Sequence, residues 1–399
     1  MADMALHPRL EALLGQRAGW RDDLDRPLMV SVLMILGIGL VMVASASVAV
    51  SGADGGGSLD LLWRQTLYLL PAGVALLVAL RMPLDVLEAL SPLLLLFGFF
   101  LLLLVLVPGV GREVNGATRW IPVGPVNVQA AEVARLCLLV YFAAFLQRHA
   151  TVLKGSLRPL LPAGLVFAAT AGLLLAQPDF GALVVLTITL ATIFFIAGMP
   201  LLPFLGIAAA GAGLLTYLIV SKPYRLERMT AFRDPWSDPF DTGFQLTQSL
   251  IAVGRGEWTG VGLGNSVQKL FYLPEAHTDF LFAVLAEELG VMGMTVVIGL
   301  FSVLVWRACR IGSASIRDGN LFGGLLAFGI GVAIALQAFV NMGVNLGLLP
   351  TKGLTLPLMS YGGSSLVMTL AAIGVLLRVE LERRQAARSA TVRHAGGWS

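Results

Sequence analysis

Ten stretches of about twenty mostly apolar residues run along this chain of 399 residues. A helix needs roughly 20 such residues to cross a bilayer, and continuous apolar runs differ from the alternating strands of a membrane barrel. Only 13% of the residues are charged, about half the share in an average soluble protein. The sequence therefore predicts an all-α integral membrane protein, a bundle of ten transmembrane helices at residues 28–50, 61–80, 86–107, 128–147, 158–176, 179–198, 200–220, 280–306, 321–345 and 361–378.

The positions of the Lys and Arg residues predict the orientation of the bundle. Most of the basic residues in short loops fall on one side, and the positive-inside rule assigns that side to the cytoplasm. We therefore expect a cytoplasmic N-terminal tail over 1–27, a ten-helix domain over 28–378 and a disordered cytoplasmic tail over 379–399. A long extracytoplasmic loop, 221–279, joins helices 7 and 8.

Composition also excludes several functional classes. The net charge is only +3, and no Lys/Arg run interleaved with aromatic residues occurs, so nucleic-acid binding is excluded. Cys137 and Cys309 lie in apolar segments and are interpreted as buried side chains. The four His residues are scattered without the spacing of metal ligands, so the sequence identifies no metal site.

Polar residues cluster around the start of the fourth span. Arg119 and Trp120 lie in the outer loop before it, at headgroup depth, where an interfacial anchor is the alternative interpretation. Gln129, Glu132 and Arg135 follow at spacings of three, which puts them on one helix face. Glu132 can pair with Arg135, and the alternative to a functional site is an ion pair that only holds the bundle together.

A second polar cluster lies at the outer junction of spans five and six. Gln177 and Asp179 flank Pro178, which interrupts the helix. The Asp179 side chain can accept a hydrogen bond at the start of the next helix, so a purely capping role is the alternative.

The long loop 221–279 is itself a candidate functional element, because loops of this length are uncommon in compact proteins. Residues 244–253 have apolar residues at helical spacing, which predicts an amphipathic helix capped by Asp241 or Thr242.

The loop ends in Pro274-Glu275-Ala276-His277-Thr278-Asp279-Phe280. A carboxylate at the membrane edge, partly removed from water, is a usable general base, so Asp279 is a candidate catalytic residue. The alternative is that Thr278 or Asp279 only caps span eight.

A polar stripe runs along span nine, where Gln337, Asn341 and Asn345 follow at spacings of four. Non-helical segments around Lys352 and Ser360 come next, and such backbone must be buried in protein or line a wet cavity. Carboxylates and cations at the outer end of a bundle suit an anionic headgroup such as a pyrophosphate. Transport and lipid-linked transfer both remain open at this point.

Three segments, 274–280, 341–353 and 357–365, resemble the SEDS family of bacterial membrane proteins (shape, elongation, division and sporulation). The resemblance extends over all ten spans. Residues 264–270 and the long N-terminus look like the cell-division member, with the elongation member as the alternative. The family often has Gln-Pro-x-Glu-x-x-Lys at the start of span four, whereas this chain has Ala130 and Arg135 in place of Pro and Lys.

The resemblance implies a peptidoglycan glycosyltransferase that polymerises lipid II by inverting transfer, with undecaprenyl pyrophosphate as the leaving group. Asp279 would be the general base. The resemblance fixes no cofactor, and a divalent cation, Mg²⁺ or Mn²⁺, stays open with unknown ligands. A lipid II flippase and a non-catalytic divisome scaffold are the competing functions. The implied substrate-binding residues are Arg119, Trp120, Glu132, Arg135, Gln177, Asp179, His277, Thr278 and Lys352.

The resemblance also implies partners and a location. A class B penicillin-binding protein, which is a transpeptidase, and other divisome membrane proteins would assemble with the chain. The location would be the bacterial inner (cytoplasmic) membrane at the division septum, with lipid II and undecaprenyl-pyrophosphate-linked glycan as bound substrates.

Overall fold

A computed structural model describes residues 24–54, 60–114, 117–124, 126–153, 156, 158–221, 232–241, 243–270, 272–351 and 353–396. These ranges contain twelve α-helices and one small sheet. The elements are α1 Arg26–Asp54, α2 Asp60–Arg81, α3 Leu84–Ala89, α4 Ser91–Leu104, β1 Arg112–Val114, β2 Ala117–Val123, β3 Val126–Gln129, α5 Ala130–Leu153, α6 Leu160–Ala176, α7 Phe180–Ile196, α8 Leu201–Val220, α9 Phe244–Gly256, α10 Leu281–Arg317, α11 Leu321–Asn345 and α12 Gly363–Gly396.

Helices occupy all ten predicted apolar stretches. Among the described residues, six helices are long and apolar enough to cross a membrane: α1, α2, α5, α10, α11 and α12. Four apolar helices are shorter: α4, α6, α7 and α8. The multi-pass helical architecture is therefore as expected, while the crossing of the four shorter helices stays a prediction.

The third stretch contains two helices where one was predicted. Its first part is α3, and α4 begins at Ser91 with Pro92 in its first turn. Proline has no N–H, and its ring clashes with the carbonyl four residues earlier, so it is tolerated at the first turn of a new helix but not within a continuous one.

A three-stranded antiparallel sheet, in the order β1-β2-β3, precedes α5 and was not predicted from the sequence. In the β2–β3 hairpin, Trp120 lies opposite Gln129. Gln129 therefore ends a strand, and α5 begins only at Ala130. The prediction that Gln129, Glu132 and Arg135 share one helix face is wrong for Gln129.

The helix α10 is broken at Gly290, whose φ of 64° and ψ of −163° lie outside the helical region. The break separates a half-helix on the predicted outer side, residues 281–289, from a long segment, 291–317. Backbone groups freed by the break bond the segment 257–262: Val261 N–H donates to the Glu287 carbonyl (2.9 Å), and Val291 N–H donates to the Glu257 carbonyl (3.0 Å). Irregular backbone at this depth is thus satisfied by protein.

The helix α12 continues through the predicted tail. Val379, Glu380 and Leu381 are buried, and Glu380 pairs with Arg383 and Arg384 on its own helix. The expectation of a disordered tail is wrong for the described residues 379–396, because apolar and ion-pair contacts stabilise the helix beyond the apolar stretch.

The core lies around α5 and α11, which contact each other and are both mostly buried. Cys137 on α5 is buried and Cys309 on α10 is half-buried, and both are free thiols. The non-helical segment after α11 is also buried, since Leu356, Leu358, Met359 and Ser360 are at most 5% exposed. Of the two alternatives predicted for this segment, burial in protein or lining a wet cavity, these residues show burial.

Candidate active site

The polar stripe on α11 lies in the last turns of that helix, at the end of the bundle predicted to be extracytoplasmic. Gln337, Asn341 and Asn345 are at most 2% exposed. Asn341 and Asn345 both bond Asp279, while Gln337 and Asn341 both bond the segment that follows α11. Consecutive members are one helical turn, about 6 Å, apart along the axis. The segments held by this stripe therefore come within a turn of one another.

The main chain of Asp279 is hydrogen-bonded to this stripe. Its carbonyl accepts hydrogen bonds from the amides of Asn341 (2.8 Å) and Asn345 (3.0 Å). Its side chain is half-buried, and a Cβ added at Gly353 would lie 3.3 Å from Asp279 Oδ2. The segment at Gly353 thus lies against the carboxylate. Its neighbour Lys352, a predicted site residue, lies outside the described residues.

The start of α10 is capped from α11. The first residue outside the helix is Phe280, and the N–H of Ala283 donates to Asn345 Oδ1 (2.9 Å). Thr278 Oγ1 donates instead to the Glu275 carboxylate (2.6 Å). Asn345 therefore satisfies an N–H in the first turn of α10, and the Thr278 hydroxyl bonds Glu275.

Glu132 and Arg135 form the predicted ion pair, with 2.5 Å between Arg135 Nη2 and Glu132 Oε2. The other terminal nitrogen of Arg135 donates to Gln337 Oε1 (2.9 Å), and Gln337 Nε2 donates to the Thr355 carbonyl (3.2 Å). Both charged side chains line a narrow, mostly apolar cavity between α5, α7, α11 and α12. The forked guanidinium thus joins two partners, which a Lys ammonium could not do in the same geometry.

Asp179 caps α7, as predicted, because its Oδ1 accepts from the N–H of Ala182 (3.1 Å). Its Oδ2 accepts from Gln129 Nε2 (3.2 Å). With both oxygens bonded within the protein, and only 3% of the residue exposed, Asp179 has mainly a structural role at this junction. A Cβ on the next residue but one, Gly181, would lie 3.2 Å from Leu354, which brings α7 close to the segment that follows α11.

Arg119 and Gln177 belong to the same junction. Arg119 donates through Nε to the Gln177 carbonyl (3.3 Å) and through Nη2 to the Pro178 carbonyl. Gln177 is fully buried and donates to the Leu102 carbonyl (2.8 Å). Trp120, the neighbour of Arg119 on β2, is half-buried. The predicted loop residues Arg119 and Trp120 are therefore positioned by a strand.

His277 lies two residues before Asp279, and its carbonyl accepts from Tyr361 N–H (2.9 Å). Its Nδ1 is buried with no hydrogen-bond partner among the described residues. Burial lowers the pKa of His277, against an opposing effect of the Glu275 charge. The imidazole is therefore neutral near pH 7 and does not add a positive charge beside Asp279.

Sequence reasoning missed a buried charged centre where α1, α10 and the outer loop meet. Lys269 Nζ lies 2.7 Å from Glu288 Oε1 and donates to Ser45 Oγ on α1 (2.7 Å). Glu287 accepts from the N–H groups of Val267 (3.1 Å) and Gln268 (3.2 Å). Two adjacent glutamates within an apolar span are costly and were the available signal.

The predicted residues therefore form two neighbouring groups on the described part of the chain. Asp279, Glu132 and Arg135 are joined through the α11 stripe, and Arg119, Gln177 and Asp179 meet at the start of α7. Amphipathic helix α9 is present at Phe244–Gly256, but it begins after Gly243 without a side-chain cap, so the prediction for Asp241 is wrong and Thr242 lies outside the described residues. Within the described ranges, no group of three or more His, Cys, Asp or Glu side chains could hold a metal ion.

The chain is similar in sequence to the members of one protein family. The FtsW/RodA/SpoVE family model, described as cell cycle protein, matches residues 26–385. The probable peptidoglycan glycosyltransferase FtsW of Alkalilimnicola ehrlichii is 56% identical over 393 residues, 97% of this chain and 96% of the relative. The protein of the same name from Thioalkalivibrio sulfidiphilus is 52% identical over 393 residues, 98% of this chain and 96% of the relative.

Two solved structures with a similar fold belong to proteins of related description. A chain from a peptidoglycan synthase complex that coordinates polymerization and crosslinking has a TM-score of 0.72 at 32% identity, covering 91% of this chain and 99% of its own length. The crystal structure of the rod shape determining protein RodA of Thermus thermophilus has a TM-score of 0.65 at 31% identity, covering 90% of this chain and 97% of its own.

Proposed function

The chain belongs to the FtsW/RodA/SpoVE family of cell cycle proteins, and from this membership we propose that it is a peptidoglycan glycosyltransferase of cell division. Its substrate is lipid II, which it polymerises into glycan strands. The relatives that carry the peptidoglycan glycosyltransferase name are more than half identical to this chain over nearly all of both proteins, which supports the same reaction here.

The chemistry is a single displacement at a sugar carbon. Asp279 takes the proton of the acceptor 4-hydroxyl of lipid II as that oxygen attacks C1 of the muramyl residue at the end of the growing strand. The bond from C1 to the pyrophosphate oxygen breaks with inversion, and undecaprenyl pyrophosphate leaves as an anion. The leaving group needs no proton, so one carboxylate is sufficient and the remaining requirement is positive charge.

Arg135 is the best-supported cation for the leaving group. It is held by Glu132 and Gln337 beside an apolar cavity, which places charge next to a surface that suits an isoprenoid chain. Arg119, at the junction of α6 and α7, is a second candidate cation. Lys352, outside the described residues, is the third. Trp120, His277 and Thr278 would complete the substrate-binding surface. Gln177 and Asp179, which are buried, would act indirectly, through the junction of α6 and α7 and the capped start of α7.

One observation carries this assignment. The main chain of Asp279 and the guanidinium of Arg135 bind adjacent members of one buried stripe, Asn341 and Gln337, which are a single helical turn apart. A base for the acceptor and a cation for the leaving group are thereby held on one rigid helix, as a displacement between two bound substrates requires.

The test is the rate at which the purified protein polymerises lipid II. Asp279→Asn keeps the size of the side chain and removes the base, so the rate should fall about 10²- to 10⁴-fold. Asp241→Asn, an exposed position in the same outer loop, is the matched control and should polymerise normally. Polymerisation by Asp279→Asn at the wild-type rate would reject Asp279 as the base and make Asp179 the next residue to substitute.

A flippase is the second candidate function, because a polar cavity within a bundle can also translocate a charged lipid. The stripe residues lie in the last turns of α11, whereas its buried side chains from Phe322 to Ile334 are apolar, which favours chemistry at the outer face. Lipid II supplied only to the outer face of liposomes separates the two functions. Strand growth under that condition supports the transferase, and its absence together with rapid lipid II exchange supports the flippase.

The assembly and location follow the same reasoning. We propose a ten-span topology with both termini in the cytoplasm, in the inner membrane at the septum. The structural relative from a peptidoglycan synthase complex supports a crosslinking partner, for which a class B penicillin-binding protein is the expected class. A non-catalytic divisome scaffold predicts instead that cells relying on Asp279→Asn still divide.

A further inference from the structure

We infer that Asn341 is a positioning residue that sets the gap between the end of the outer loop and the segment 353–355. The inference rests on the proposed function, because the object it positions is the carboxylate of Asp279.

The amide nitrogen of Asn341 joins two segments that are far apart in sequence. It donates to the Asp279 carbonyl (2.8 Å) and to the Leu354 carbonyl (2.6 Å). An amide nitrogen carries two hydrogens, so both donors are used. Only 2% of Asn341 is exposed, so its amide nitrogen depends on these two acceptors.

Asn345 makes a different set of contacts. It also donates to the Asp279 carbonyl, but its oxygen accepts from Ala283 N–H and its nitrogen donates to the Asn341 carbonyl (2.8 Å). Asn345 thus fixes the start of α10 on α11. Of the two asparagines, Asn341 is the one bonded to the 353–355 segment, so its loss should loosen the gap while Asn345 still holds the helix start.

The width of the gap between the outer loop and the segment 353–355 matters for catalysis because the carboxylate of Asp279 lies in this gap. Gly353 faces Asp279 Oδ2, and a Cβ there would approach that oxygen to 3.3 Å. A general base must come within about 2.6–3.2 Å of the oxygen it deprotonates. Misplacement by about 1 Å can lower a rate by 10²-fold, so a small change in this gap is enough to affect catalysis.

Two substitutions change the gap from opposite sides. Asn341→Leu removes both donors at similar volume, and Gly353→Ala inserts a methyl group against the carboxylate. Ser315→Ala is the matched control, because Ser315 is also a buried residue, and its hydroxyl donates to the Asn320 carbonyl just before α11, at the other end of the bundle.

The measurement is kcat and KM for lipid II polymerisation by the purified full chain, with the thermal midpoint of each variant. Asn341→Leu should lower kcat by up to about 100-fold with KM unchanged, and Gly353→Ala should lower kcat as well. The double variant should lose less than the product of the two single effects, because both act on one gap. Ser315→Ala should keep the wild-type kcat.

Several outcomes overturn the inference. A folded Asn341→Leu protein with wild-type kcat, a change confined to KM, or multiplicative effects in the double variant would each do so. If Asn341→Leu does not fold, Gly353→Ala alone decides, and a wild-type kcat there rejects the inference. Asp279→Asn is measured alongside: its inactivity with an active Asn341→Leu rejects only the positioning role, whereas its full activity rejects the proposed base.

Discussion

Two outer aspartates were candidates for the base, and their surroundings separate them. Asp179 uses one oxygen to cap α7 and the other to accept from Gln129, so it stabilises the junction of α6 and α7. Asp279 is held through its main chain, and the helix that follows is capped by Asn345 instead. Asp179 is therefore fixed by both of its side-chain oxygens, whereas the hydrogen bonds from Asn341 and Asn345 fix the main chain of Asp279 on α11.

The contacts of Arg135 show how the protein accommodates an Arg at a position where the family often has Lys. Its two terminal nitrogens bind different acceptors, Glu132 and Gln337, so the charge is fixed between α5 and α11. Spacing along α5 was sufficient to predict the pair with Glu132. The bond to Gln337, 202 residues away in sequence, depends on the packing of the two helices and had no local signal.

Removing one member of this pair should be more damaging than removing both charges. In Arg135→Met the Glu132 carboxylate, with only 8% of its side chain exposed, loses its counter-ion, which should cost about 3–5 kcal/mol of folding stability. Adding Glu132→Gln to Arg135→Met should recover most of that loss. Unfolding midpoints of the detergent-solubilised proteins measure both effects. Equal stability of the single and double variants would show that the pair contributes little.

At the level of elements, the chain departs from its predicted organisation where short structures interrupt apolar runs. Hydropathy is averaged over about 19 residues, so it detects spans well but cannot detect a break such as Gly290. The strands β1 to β3 were missed for a similar reason, since they have three to seven residues each and β2 contains Pro122. The loop helix α9 was found because its apolar spacing extends over several turns.

The conformation at Gly290 predicts a strong preference for glycine. Its φ and ψ lie in a region that only glycine adopts readily, and a Cβ would lie 2.5 Å from Gly260 N and 2.6 Å from Trp258 backbone atoms. Gly290→Ala should therefore cost more than the 1–3 kcal/mol or so expected from backbone strain alone.

Gly299 provides the control on the same helix, because a Cβ there meets nothing within 4 Å. Gly299→Ala should be neutral or stabilising by up to about 1 kcal/mol, through helix propensity. Thermal midpoints of the two variants give the comparison. Equal midpoints would contradict the broken helix.

At the scale of the whole molecule, charges hold both ends of the bundle. On the predicted cytoplasmic side, Asp25 is fully buried and pairs with Arg307 on α10, and Arg384 on α12 approaches it to 3.6 Å. On the other side, Lys269 and Glu288 connect the outer loop to α10, with Ser45 of α1 as a shared partner. Buried ion pairs therefore connect segments that are distant in sequence at each end of the bundle. Removing one member of such a pair lowers folding stability.

The topology is open to a direct labelling test. In a background with Cys137→Ala and Cys309→Ala, Trp258→Cys should react with a membrane-impermeant maleimide added to intact spheroplasts, because residue 258 is 74% exposed on the predicted outer side. Arg317→Cys, exposed at the other end of α10, should react only after permeabilisation. Reaction of both positions before permeabilisation would contradict the proposed orientation.

The sequence was most informative about which residues matter and least about what holds them. Low charge content confined the search to a few acidic residues, and the spacing of Gln337, Asn341 and Asn345 predicted one polar face. The partners of that face, Asp279 and Leu354, lie 62 and 13 residues from Asn341, and no local pattern links them. Long-range hydrogen bonds of this kind arise only when the bundle closes.

The break in α10 also has a mechanical consequence. An unbroken helix would carry any displacement of its membrane segment straight to its outer end. Here the backbone on both sides of Gly290 is bonded to the same loop segment, 257–262, so the outer half-helix and the membrane segment are coupled through that loop. A displacement of the loop segment 257–262 would therefore reach both halves of α10 through backbone hydrogen bonds, and Asp279 lies just before the first residue of the shorter half.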